Sequence, residues 1–292
     1  MPDPRSSVAN RALAAELRRL RELSGMSGDE VALRLHWSAS KVSRVETNRS
    51  GVKRPDLDRL LDLYDVDEVR RDQLIALASE PEPRGWWSAY PTASVDAEYA
   101  AYISLEASAT HIRWWSPELI NGLLQTEEYA GEIMNLAFGS PPEVPPRVIQ
   151  DRIDVRIRRQ ELLTKPGDRH FIFILDEATL LRKHGSPGVM RRQLERLVEL
   201  SALPTVTLRV LAFAGKHPVV NPGGFAILEF APLHETTISD VVYVERMQAS
   251  ELVEDEAEAH GYRLAFERLF AEALTPDESR ELIIRTAAER WS

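Results

Sequence analysis

The sequence predicts two parts: an all-α N-terminal domain of five short helices, and an α+β C-terminal domain with a helical half and a small sheet of about four strands. Three observations carry that expectation. Leucines recur at helical spacing through the first 80 residues, with capping residues at close intervals. A proline-rich stretch, PEPRG at 81–85, then breaks the pattern. Beyond it, short runs of strand character appear among the helical signals. A chain of 292 residues is comfortable for two domains. The expected boundaries are 1–80 for the first domain, 81–95 for a linker and aromatic entry segment, and 96–292 for the second.

Each helix of the first domain has its own signal. The first covers roughly Val8 to Leu23, with Leu13, Leu17 and Leu20 on one face, and Gly25 stops it. SGDE from Ser27 reads as a capping box in which Ser27 caps the second helix and Glu30 reaches back. Val31, Ala32 and Leu35 form the buried side of that helix. Ser38 can cap a third helix running to Thr47. Pro55 opens a fourth, with Leu57, Leu60, Leu61 and Tyr64 inward, and Asp67 can cap a fifth through Ala78.

In the second domain a helical half covers about 95–165, where SPE at Ser116 and TEE at Thr126 read as helix N-termini. FIFIL (171–175) is apolar on both faces, which suits a central strand. TVTLRVL (205–211) alternates, with Val206, Leu208 and Val210 on one side. FAILEF (225–230) and VVYVE (241–245) complete the expected sheet, and PGG at 222–224 reads as a turn before a strand. A helix from about Val189 to Leu203 separates the first two strands. Two helices close the chain, the last opening with Thr275 as N-cap, Pro276 at N1 and Glu278 at N3.

Composition narrows the function classes. With no cysteine the chain has neither disulfides nor thiolate chemistry, which suits a reducing cytoplasm. No apolar run of about 18 residues and no signal-peptide core is visible, so no membrane is expected. Net charge is −10, but residues 1–54 hold 11 Lys+Arg against 6 Asp+Glu, a local +5. Local potential rather than the total steers a polyanion, so the basic N-terminal region remains compatible with nucleic acid.

The third helix concentrates that possibility. Val42 and Val45 face the body, while Ser40, Lys41, Ser43, Arg44 and Thr47 project outward. Small hydroxyls permit close approach to a groove, and arginine can grip guanine O6 and N7 together. The preceding helix ends only about two residues before Ser38, so the pair reads as a helix-turn-helix with the second helix as reader. A two-fold homodimer on a pseudo-palindromic double-stranded operator follows from one such head covering half a site.

These residues carry a resemblance. MSGDEVALRLHWSASKVSRVETNRSGVKRP resembles the Xre-type helix-turn-helix of phage-repressor-like regulators, over about residues 10–70. The resemblance implies that Ser38, Ala39, Ser40, Ser43 and Arg44 contact DNA and that Lys41 and Arg49 meet phosphates, with Ser27 and Asn48 in the same DNA-facing set. It also implies that Arg21 and Glu46 form a structural ion pair. The departure is His36, which stands where the turn usually has glycine. Further on, RGWW (84–87), YISLEASATHIRWWSPELINGLLQTEEYA (102–130), IRRQELL (157–163), ILDEATLLR (174–182) and LPTVTLRVLAF (203–213) resemble the antitoxin-like, WhiJ-like C-terminal domain of a large actinobacterial regulator family. That resemblance implies a bacterial, cytoplasmic, nucleoid-associated transcriptional regulator modulated by a small cognate protein.

Two readings stay open in the second domain. Trp86, Trp87, Tyr102, Trp114, Trp115 and Tyr129 crowd one segment, either as core or as a ligand or partner surface. The surface option would make the protein a small-molecule-responsive repressor. Arg147, Arg152, Arg156, Arg158 and Arg159 form a basic run, either flanking DNA or a solvated face paired with Asp151, Asp154 and Glu161. No catalytic residue, metal or cofactor is expected. The seven histidines have no i, i+4 partner, and GxSxG, Walker and GxGxxG motifs are absent. Asp176 and Glu177 sit adjacent on a strand and point apart.

Overall fold

A computed structural model describes residues 7–80, 85–138, 144–215, 223–245 and 250–292. The expected linker prolines at 81–84 and the first residue of PGG lie outside the described residues. The chain forms two compact units. The first comprises Met1–Gly85, Ala100–Ser108 and Glu229–Ser239; the second comprises Trp86–Tyr99, Ala109–Leu228 and Asp240–Ser292.

The first unit opens with five helices, α1 (Val8–Leu23), α2 (Gly28–Leu35), α3 (Ala39–Glu46), α4 (Arg54–Leu63) and α5 (Glu68–Ser79). Ser7, Ser27, Ser38 and Asp67 each accept a backbone N–H at a helix start. Such caps satisfy donors that the helix itself cannot, at about 1 kcal/mol each. Leu13, Leu17, Val31, Leu35, Val42, Val45, Leu57, Leu60, Leu61, Leu74 and Leu77 meet in one buried cluster. Ile238, from a distant part of the sequence, is buried in the same cluster, with Phe230 and Leu233 packed against it.

The next helix, α6 (Ala97–Ser108), leads into the strand β1 (His111–Ser116). Two helices, α7 (Glu127–Phe138) and α8 (Pro146–Arg159), precede β2 (His170–Asp176). The short α9 (Ala178–Leu181) and α10 (Pro187–Leu200) then lead to β3 (Val206–Leu211), β4 (Phe225–Glu229), β5 (Val241–Glu245) and β6 (Ser250–Val253), and α11 (Glu256–Glu272) and α12 (Pro276–Arg290) close the chain.

Among the described residues the sheet has six strands in the order β3-β2-β1-β4-β5-β6, which corrects the expected four. β1, β2 and β3 are parallel, whereas β4, β5 and β6 pair antiparallel. FIFIL is an interior strand as its two apolar faces demand, with Phe173, Ile174 and Leu175 fully buried. The two unforeseen strands are β1, inside the expected helical half, and β6. Ser116 ends β1 rather than starting a helix, whereas the Thr126 hydroxyl does accept the Tyr129 N–H at the start of α7.

The outer edge of β3 is covered by the α11–α12 connection. Leu274 donates its N–H to the Val210 carbonyl at 2.9 Å, and Val210 donates to the Ser279 hydroxyl at 2.9 Å. The Arg209 guanidinium donates to the Ala273 and Leu274 carbonyls, both at 2.6 Å. An edge so capped cannot template pairing with another strand.

Four arginines of the basic run on α8 engage neighbouring segments. Arg152 donates to the Ala93 carbonyl, Arg156 to Gln125, and Arg159 to the Tyr99 hydroxyl at 2.7 Å, while Arg158 lies over the Trp86 ring. Asp151 accepts from Ser94 and Asp154 from Gln150. These side chains staple neighbouring segments to α8. Among the described residues no helix is long and apolar enough to cross a membrane.

Candidate nucleic-acid interface

The candidate interface is built from α2, the connection after it and α3. Ser27 caps α2 through its hydroxyl, and the Glu30 carboxylate accepts the Ser27 N–H at 2.7 Å, closing the capping box. The helix ends in a Schellman turn: Trp37 donates to the Ala32 carbonyl at 2.8 Å and His36 to Leu33 at 3.3 Å. That turn requires a left-handed residue, and His36 supplies it with φ 54°. A non-glycine pays about 1–2 kcal/mol there. The motif therefore persists without its glycine, at a local cost.

Ser38 then caps α3, accepting from the Lys41 N–H at 3.2 Å and lying 3.0 Å from the Ser40 hydroxyl. Val42 and Val45 are the buried side of α3, and Ala39, Ser40, Ser43, Arg44 and Thr47 are exposed. The Thr47 hydroxyl turns back to the Ser43 carbonyl at 2.7 Å. A second Schellman turn ends α3, with Asn48 N–H on Val45, Arg49 N–H on Arg44, and Asn48 at φ 51°. Asparagine tolerates this conformation better than most residues. Asn48 is 4% exposed, so it belongs to the turn and not to the outward face.

Three contacts brace α3 from behind. Arg21 of α1 donates its Nε to both Glu46 oxygens, at 2.8 and 3.0 Å, and its Nη1 to the Met26 carbonyl at 2.9 Å. The hydrogen bonds to Glu46 hold the guanidinium protonated beyond its ordinary range. Beside them the Tyr64 phenol is buried without a hydrogen-bond partner, and burial, with the Glu46 charge added, raises its pKa well above the usual phenol value. The second brace is Lys41, whose Nζ sits 2.8 Å from Asp56 Oδ2 and 3.7 Å from the centre of the Trp37 ring. The third is Arg59, which donates to the Leu35 carbonyl at 2.6 Å and lies 5.8 Å from the centre of the Trp37 ring. Residue spacing on α3 alone did not reveal Asp56, Arg59 or Trp37 as participants. The aromatic directly after the turn was the available signal.

The nine expected DNA-facing residues thus divide. Ala39, Ser40, Ser43 and Arg44 share one exposed face, with Arg49 exposed just beyond it. Among the described residues neither the Arg44 nor the Arg49 guanidinium has a side-chain partner, so both can take a phosphate or base acceptor without first breaking a contact. Ser27 and Ser38 are exposed but committed to caps, and Lys41 is committed to Asp56 and Trp37.

The aromatic candidates of the second domain are packed. Trp87, Tyr102, Trp114, Trp115 and Tyr129 are all buried. Tyr102 hydrogen-bonds Glu106, Trp114 meets Tyr243 edge to face, and Tyr129 meets His184 in the same way. Burial pushes the Tyr129 phenol up to about 12. Trp86 is half-buried, against Trp87, Tyr90 and Arg158. The acids at the end of β2 are also engaged: Asp176 accepts the Ala178 N–H and Glu177 the Phe213 N–H.

Two family models match the chain. A helix-turn-helix domain model matches residues 12–74, which marks the protein as a DNA-binding regulator. A second model, for a domain of unknown function, matches residues 99–285. No curated protein matches the chain.

Proposed function

The chain belongs to the family defined by the domain of unknown function DUF5753, and from that premise, with a helix-turn-helix at its other end, we propose a sequence-specific transcriptional regulator of the Xre type. α3 enters the major groove, Arg44 reads a guanine through O6 and N7, and Ser40 and Ser43 approach base edges or phosphates. Arg49 takes a phosphate. Two heads of a homodimer read the halves of a pseudo-palindromic operator in a bacterial cytoplasm. The observation that carries this reading is the unpaired Arg44 on an exposed hydroxyl face, held from behind by Arg21–Glu46.

The DUF5753 domain acts as the controller. An antitoxin-like role with a small cognate protein partner rests on the sequence resemblance alone. A ligand pocket walled by the aromatic segment finds no support where five of its six rings are buried in packing. No enzymatic role is proposed.

The test is selection of duplexes from a random library by the full-length protein, followed by footprinting. The expected result is one protected stretch with two related half-sites about one helical turn apart. A library that emerges without enrichment overturns the proposal.

A further inference from the structure

The head of this protein is not made from its N-terminal residues alone. The connection between β4 and β5, residues 229–239, belongs to the first compact unit although its two ends run into the sheet of the second. Loops normally cross a surface. This one buries Ile238 to 5% exposure in the core of the head, with Phe230 and Leu233 packed beside it, and Thr236 is 3% exposed.

Arg70 of α5 is the hub of the attachment. Its Nη1 donates to the His234 carbonyl at 3.0 Å and its Nη2 to the Thr236 hydroxyl at 2.9 Å. The same guanidinium reaches Glu16 of α1, with Nη2 at 3.0 Å from Oε1. Gln73, one turn on, donates to the Glu235 carboxylate at 2.8 Å. His234 and Glu235 hold successive positive φ values of 45° and 59°, a conformation that non-glycine residues keep only when their surroundings impose it. Here the head imposes it, because Arg70 grips the carbonyl of one and Gln73 the side chain of the other. Leu233 and Thr236 close the turn with reciprocal backbone bonds at 3.0 and 2.9 Å.

The attachment sits on the helices that support the reader. Glu16 and Arg21 both lie on α1, and Arg21 holds Glu46 at the end of α3. We propose that residues 229–239 are a structural strap of the DNA-reading head, through which the state of the β4–β5 hairpin sets the competence of α3 to bind DNA. The proposal rests on the DNA reading above and adds its means of control: an event that pulls on the hairpin loosens α1 and α5 and lowers operator affinity.

The experiment uses the full-length chain and strap variants, read by amide hydrogen exchange and by affinity for duplexes that the wild-type chain selects from a random library. Ile238→Ala is expected to speed exchange in α1 and α5 by about tenfold and leave β1–β3 unchanged. Operator affinity is expected to fall by roughly three- to tenfold. Thr236→Val, which keeps shape and removes only the hydroxyl, moves both readouts the same way by less, and serves where Ile238→Ala fails to fold. Arg70→Leu combined with Thr236→Val should be non-additive, as for two ends of one contact. Unchanged exchange in α1 and α5 overturns the strap, and faster exchange with intact affinity overturns its control of binding. If the wild-type chain selects no duplex, the DNA reading and the control fall together, while exchange still decides whether the strap belongs to the head.

Discussion

Arg21 and Glu46 are joined by two hydrogen bonds, at 2.8 and 3.0 Å, that tie the end of the first helix to the end of the reading helix. Both side chains are mostly shielded, at 15% and 11% exposure, so removing either leaves a desolvated charge behind. Glu46→Ala is expected to cost roughly 1–3 kcal/mol of stability. Urea unfolding measures it, and a midpoint equal to that of the wild type would show that the pair does not hold α3.

Arg44→Ala removes an exposed side chain that has no side-chain partner among the described residues. Specific binding should weaken by about 1–3 kcal/mol with preference relaxed at one base pair, while stability stays within about 0.5 kcal/mol. Competition binding against single-substituted duplexes reads the first effect. Undiminished discrimination at every position would remove Arg44 from the reading face.

Lys41 and Arg49 have the same charge and different expected signatures. Arg49→Ala should reduce the slope of log affinity against log salt by about 1, for every duplex alike. Lys41→Ala should leave that slope unchanged and instead lower stability, because its ammonium is spent on Asp56 and Trp37. Salt titrations of both variants decide the matter; a slope that changes for Lys41→Ala would mean the lysine leaves Asp56 for a phosphate.

His36→Gly should stabilise the protein by about 0.5–1 kcal/mol, since the left-handed turn costs a histidine about 1–2 kcal/mol and the unfolded glycine returns part of the gain. Thermal unfolding should rise by a few degrees. A lower melting temperature would show that the imidazole makes a compensating contact.

The carboxyl of Glu16 offers a pH test. Burial pushes it up, but hydrogen bonds from Arg19 and Arg70 and their charges outweigh that, so it titrates below its ordinary 4.5. A lowered folded pKa gives stability that is complete above 4.5 and disappears as pH falls through the folded value. Wild type and Glu16→Gln should therefore differ most near neutrality and converge in acid. Parallel stability curves down the acid range would contradict the assignment.

Local signals placed the head well, because four of its five helices start at a capping hydroxyl or carboxylate that needs no partner from elsewhere, and Pro55 marks the start of the other. The Ser27 box and the Thr275 box formed with the partners that spacing implied. The strand β1 was hidden for the opposite reason. HIRWWS follows a helical stretch and runs into Ser-Pro-Glu, which mimics a helix start, and it is a strand only through distant partners, with β2 fifty-nine residues on and β4 on its other side. β6 has four residues, too few for alternation to register, and runs straight into the acidic stretch from Glu254. Composition likewise cannot say whether a run of tryptophans lines a pocket or fills a core, since both demand the same apolar rings. At the reading helix, the outward hydroxyls and Arg44 were apparent from spacing alone. The engagement of Lys41 was not, because Asp56 and Trp37 reach it through tertiary packing.

Arg70 meets its partners His234 and Thr236 at separations of 164 and 166 residues along the chain. During translation the amino-terminal helices therefore leave the ribosome long before the segment that finishes their core. At about 5–20 residues per second, the wait is roughly 10–30 seconds. A truncated nascent product would carry a head whose core lacks Ile238, so on the proposed reading DNA binding waits for chains whose synthesis has passed that residue.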